Sequence, residues 1–74
     1  NHQATLTFTL DTPGDTRLFV VNMQGVVVRD LINARLNSGD HQSVLYAGDM
    51  PPGIYQVVLI TAHGSCARSI IHVR

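Results

Sequence analysis

Turn-forming residues divide this chain so finely that only short extended segments fit between them. Asp11-Thr12-Pro13-Gly14-Asp15, Asn22-Met23-Gln24-Gly25, Gly39, the run from Gly48 to Gly53 and His63-Gly64-Ser65 each interrupt an apolar stretch. Between these breaks the apolar pattern has a period of two. Thr5-Leu6-Thr7-Phe8-Thr9-Leu10 alternates perfectly, with Leu6, Phe8 and Leu10 on one face and three threonines on the other. That is the pattern of a half-buried strand. No segment keeps a 3.6-residue period, and several short strands with closely spaced turn signals predict a sandwich or barrel. The connections are local, so the pairing is expected to be antiparallel.

The strands read along the chain are 5–10, 17–22, 26–32, 42–46, 54–60 and roughly 67–73. Asn33 to Asp40 reads as a polar connection, and a short further strand is expected near Arg35-Leu36 or Ala47. The predicted fold class is an antiparallel Ig-like β-sandwich of about seven short strands. Its expected core is Leu6, Phe8, Leu18, Val20, Val28, Leu31, Leu45, Tyr55, Val57 and Leu59. The same parity sends Phe19, Val21, Val44, Val58 and Ile60 outward. Exposed apolar patches of that kind mark contact surfaces, so self-association through exposed strand faces is one expectation.

Composition narrows function by exclusion. Five arginines balance five aspartates, and the chain contains neither Lys nor Glu, the usual residues of solvated helix faces. The arginines are scattered, so there is no basic stripe to track a nucleic acid, and none is expected as a partner. Seventy-four residues form a single domain, 1–74, which is expected to be a piece of a longer protein. No apolar run approaches the ~20 residues a membrane-spanning helix needs.

Candidate chemistry is thin. His2, His41, His63 and His72 do not stand at metal-ligand spacing, and no metal or other cofactor is expected. Cys66 lacks a nucleophile signature around it and reads as a small strand residue. Ser38, Ser43, Ser65 and Ser69 lack a nucleophile-elbow context. Four of the aspartates, Asp11, Asp15, Asp40 and Asp49, fall in or beside turns, where their side chains hydrogen-bond the backbone. No catalytic residue and no small-molecule substrate is expected.

Two glycines carry specific backbone expectations. Gly14, after Pro13, is expected to take a positive φ. Gly53, after Pro51-Pro52, is expected to reverse the chain into the longest strand through a φ that other residues resist. Tyr55 is expected to cap the core with its hydroxyl on a loop partner.

The order of these pieces resembles the C-terminal sorting domain, type A, of the type IX (Por) secretion system. Asn1 and the Thr5–Leu10 strand, Pro13-Gly14-Asp15, the strand ending in Met23-Gln24-Gly25, Val28 to Leu31, Gly39, and Met50-Pro51-Pro52-Gly53-Ile54-Tyr55 follow the family's order. The family's Pro after the opening Asn is His2 here. Its lysine-rich last strand is replaced by one carrying Arg68 and Arg74. The Ig-like domain of flagellar hook-capping proteins is similar in pattern and implies the alternative, an accessory or interaction module of an extracellular protein. The sorting-domain resemblance implies an address rather than a catalyst: a signal that takes a passenger protein through the periplasm and across the outer membrane to the cell surface or extracellular space. It implies an outer-membrane translocon, a shuttle protein and a cysteine-type sortase as partners. Gly25, Gly39, Pro51, Gly53 and Tyr55 would be the structural motif. Arg68, Ile70, His72 and Arg74, on the last strand, would be the recognition element.

Overall fold

A computed structural model of the chain describes residues 3–46, 48 and 50–72. These residues form an all-β antiparallel sandwich of six strands: β1 (Gln3–Leu10), β2 (Gly14–Val21), β3 (Val27–Leu36), β4 (Gly39–Tyr46), β5 (Gly53–Thr61) and β6 (Gly64–His72). One sheet is the pair β1-β4, and the other runs β3-β2-β5-β6. The chain changes sheet at the β1–β2, β3–β4 and β4–β5 connections. It stays within the larger sheet at the β2–β3 and β5–β6 hairpins.

The alternation of β1 sets the register of the smaller sheet. Leu6, Phe8 and Ala4 stand opposite Ser43, His41 and Leu45, and the threonines stand opposite Val44, Gln42 and Asp40. In the larger sheet Leu18 meets Leu59, and Val20 meets Val57. These inward rows close on one another. Leu18, Val20, Leu45, Met50, Tyr55 and Val57 are buried, and Leu6, Phe8, Val28, Leu31, Ile32 and Leu59 pack around them half-buried. All ten expected core residues are in this cluster, joined by Met50 and Ile32. Full burial of a side chain such as Leu45 or Val20 stabilises the fold by about 1.5–3 kcal/mol.

Several expected boundaries are corrected, with β2 beginning at Gly14 rather than residue 17 and β6 at Gly64 rather than residue 67. Strand β3 continues through Asn33, Ala34, Arg35 and Leu36, which pair with Arg17, Thr16, Asp15 and Gly14. The polar run is therefore strand and not connection. An edge strand leaves such residues in water while its backbone pairs on one side only. Strand β4 begins at Gly39 rather than residue 42, because Asp40 and His41 pair with Thr9 and Phe8. The expected extra strand at Arg35-Leu36 is the end of β3, and Ala47 lies outside the described residues.

Strand β3 also breaks period two. Leu18 faces Ile32 while Phe19 faces Asp30, and Val20 faces Arg29 while Val21 faces Val27. Leu31 and Val28 are thus the extra residues of two bulges, which bend a strand and re-aim its side chains. The first bulge lets consecutive residues, Leu31 and Ile32, both reach the core.

The glycine expectations divide. Gly25, Gly39 and Gly64 have φ of 80°, 117° and 135°. Gly14 and Gly53 do not. The rigid Pro51-Pro52 pair already redirects the chain, and Gly53 enters β5 extended, opposite His72. Gly14 is buried, and a Cβ there would sit 3.5 Å from the Ala62 Cβ, an ordinary contact. Gly25 ends a turn organised by Asn22, whose Oδ1 accepts from the backbone N–H of Gln24 at 2.9 Å and of Val26 at 3.0 Å. The positive φ lets the chain return into β3 without the clash a Cβ would cause.

Candidate interaction surface

Of the motif residues named from the sequence, Gly25 and Gly39 take positive φ and Tyr55 is buried, whereas Gly53 is extended and Pro51 is exposed. Tyr55 is the first inward residue of β5, and its O–H donates to the Pro51 carbonyl, so the ring fills the core while the hydroxyl ties down the β4–β5 loop. Met50, in the same loop, is 5% exposed. Nothing in the sequence period marks it, because loop residues have no face parity. The only signal available was its place in the Met50–Tyr55 segment.

The proposed recognition strand, β6, is an edge of the larger sheet and pairs only with β5. In that register Arg68 stands opposite Val57, Ile70 opposite Tyr55, and His72 opposite Gly53. Arg74 lies outside the described residues. Cys66 stands opposite Leu59.

The outer face of the larger sheet carries the second surface. Across it, Phe19 pairs with Val58, Arg17 with Ile60, and Val58 with Ala67. Phe19 faces outward and is still only 9% exposed. The Arg17 guanidinium lies 4.4 Å from the centre of its ring. The same guanidinium donates from Nε and Nη2 to Asp30 Oδ1 at 3.3 and 3.2 Å. Asp30 stands opposite Phe19 on β3, so the ion pair holds the cation as a lid over the ring. Sequence parity placed Phe19 on this face, but it could not supply Asp30, whose alignment depends on the β3 bulge. Val21 and Val58 on this face are half-buried and Ile60 is 40% exposed; Val44, also half-buried, lies on β4 of the smaller sheet. Met23, Val26, Val27 and Ile54 add exposed apolar surface toward the end of the sheet that holds the β2–β3 turn.

At the other end a crevice of about 340 Å³ opens between the β1–β2 turn and the β5–β6 hairpin, lined by residues including Asp11, Leu59, Thr61 and His63. His63 Nε2 and Thr12 Oγ1 are 2.7 Å apart and join the two turns. His41 is engaged elsewhere. Its ring stacks on Phe8 with centroids 5.5 Å apart, and its Nε2–H donates to the Asn37 carbonyl at 2.7 Å. Among the described residues no three His, Cys, Asp or Glu side chains converge as a metal ligand set would. No family model, curated protein or solved structure matches this chain.

Proposed function

We propose that this sandwich is a secretion and sorting signal of the type IX kind, read by protein partners while it directs an attached passenger across an outer membrane. It is a binding module and not an enzyme. The observation that carries the reading is the ordered motif itself. Supporting it, the residues of that motif occupy demanding positions in the fold: Gly25 and Gly39 at positive φ, and Met50 and Tyr55 in the core. A signal of this kind is a folded surface, and the motif residues would conserve its shape rather than contact the partner.

Recognition falls on β6. An edge strand offers unpaired N–H and C=O groups that a partner strand completes, with alternate side chains giving selectivity. Arg68 and Arg74 would add charge-assisted contacts to carboxylates where the family uses lysine. By the same resemblance the partners are the translocon, its shuttle protein and a sortase that cuts upstream of residue 1.

The test is a fluorescent protein fused to residues 1–74 in a cell that has this pathway, beside a fusion lacking residues 67–74. The full fusion is expected at the cell surface or in the medium, and the shortened one in the periplasm. If the full fusion stays in the periplasm while an established sorting domain exports the same cargo, the Ig-like accessory module is the better reading. Equal export of both fusions would remove β6 as the recognition element.

A further inference from the structure

The two sheets leave four strand edges open: β1 and β4 in the smaller sheet, β3 and β6 in the larger. Open edges template pairing with another chain, and proteins guard them with charge, proline, glycine kinks or bulges. Three of the four are guarded. Strand β3 has two bulges and carries Arg29, Asp30 and Arg35. Strand β4 carries Asp40 and His41. Strand β6 carries Arg68 near its centre, a charge that opposes pairing with a second β6 and leaves the edge to a partner bearing carboxylates.

Strand β1 has no such device. Gln3–Leu10 contains no charged residue, no proline and no glycine, and its register with β4 runs over eight pairs without a shift. Its inner residues Leu6 and Phe8 remain half-buried, whereas Leu45 on the neighbouring strand is 2% exposed. Among the described residues the thin flank of the core therefore runs along β1 from Ala4 to Phe8, the edge without such a device, and closes at Leu10, which is 7% exposed.

We propose that β1 is the seam of a homodimer, in which two copies pair β1 with β1 antiparallel about a two-fold axis through Thr7. The second copy is the occupant because its own β1 satisfies what this edge demands. Pairing must keep apolar residues on the inner face, and a one-residue slip would turn them to water. With Thr7 opposite Thr7, Leu6 meets Phe8 and Ala4 meets Leu10 on the inner face, while Thr5 meets Thr9 on the outer. Such apolar and Thr–Thr cross-strand pairs are each favourable. Strand β1 itself carries no charge and the chain's formal net charge is zero; the Asp40 carboxylate beside it is held by the Thr9 hydroxyl, which donates to Oδ1 at 2.8 Å. The contact is isologous, so it closes at two copies. The outer edges of the joined β4-β1-β1-β4 sheet are the guarded β4 strands. An interface built on one strand falls below the ~1,200 Å² of standard complexes, which places the dimer in the weak, reversible class. The inference is independent of the export reading.

The test is sedimentation of the purified chain up to several hundred micromolar, with Thr7→Lys against Gln42→Lys and Ile60→Lys as controls. All three sites are exposed, and circular dichroism verifies the fold of each variant. The wild type and both controls are expected to dimerise. Thr7→Lys, which sets two ammonium groups across the axis, is expected to weaken the dimer at least tenfold. The register is read separately in a Cys66→Ser background. Thr7→Cys should cross-link to itself under mild oxidation, because directly opposed Cα atoms lie within disulfide reach. Thr5→Cys should not. A wild type that stays monomeric overturns the proposal. So does a dimer that survives Thr7→Lys, a dimer lost in Ile60→Lys instead, or a Thr7→Cys variant that links no faster than Thr5→Cys.

Discussion

Replacing Tyr55 separates two contributions that one side chain makes to this fold. The ring is 6% exposed and belongs to the core cluster, while the O–H donates to the carbonyl of Pro51. Tyr55→Phe keeps the ring and removes the bond. Pro51 is exposed, so its freed carbonyl can take a water, and the loss is the net value of one hydrogen bond, about 1 kcal/mol, rather than the larger cost of a buried orphan. Tyr55→Ala also removes the ring and leaves a cavity between the sheets, for a total of about 3–5 kcal/mol. A domain of this size has roughly 4–11 kcal/mol in all, so Tyr55→Ala should remove a large share of it. Urea unfolding followed by circular dichroism measures both. With a slope of about 1 kcal/mol per molar urea, Tyr55→Phe should lower the midpoint by roughly 1 M. In a thermal melt it should lower Tm by about 4–8 °C. A Tyr55→Phe midpoint equal to that of the wild type would show that the hydroxyl does not tie down the loop. Equal losses for the Phe and Ala variants would show that the ring does not fill the core.

Two further outcomes follow from backbone and surface geometry. Gly39→Ala should cost about 1–3 kcal/mol from strain alone, since φ is 117° and a Cβ there would meet nothing within 4 Å. Gly53→Ala should stay within about 0.5 kcal/mol of the wild type in the same unfolding assay, because Gly53 is extended and its Cβ would sit 3.9 Å from the Tyr55 ring. Arg17→Ala should change stability by less than about 1 kcal/mol, since both members of its ion pair are about half-exposed. It should nonetheless raise binding of a hydrophobic dye by uncovering Phe19, and an unchanged dye signal would count against the lid.

The sequence was most legible where one face of a strand meets the core and the other meets water. Leu6 and Phe8 on β1, and Tyr55, Val57 and Leu59 on β5, declare their faces through period two alone. Legibility failed where pairing overrides composition. Asn33, Arg35, Asp40 and His41 are polar, and their segments become strand only because Gly14 to Arg17 and Phe8-Thr9 lie alongside them. It failed again at the bulges, where Leu31 and Ile32 share a side that parity would divide. Glycine after proline was a misleading cue at Gly14 and Gly53. Both prolines set the chain direction first, so the glycines that follow start strands. On the surface, Phe19 was legible as an outward residue, while the Arg17 guanidinium over its ring was not. Asp30 completes the cluster only through a register that one extra residue shifts.

The division of strands between sheets also orders the folding reaction. The β2–β3 and β5–β6 hairpins are closed by the turns at Asn22–Gly25 and Ala62-His63, so each can form from neighbouring residues within microseconds. The β1–β4 pair has no such short route, because residues 11–38 stand between its strands. That loop must be closed, and its entropy lost, before a single pair of the smaller sheet is gained. Hairpins first and β1 last is the sequence of events this topology favours, and the domain should fold on the slow, millisecond-to-second side of the range for its length. The strand that docks last is also the first to leave. In native-state hydrogen exchange, the amides of β1 should open at lower free energy than those of β2 and β5 in the centre of the larger sheet.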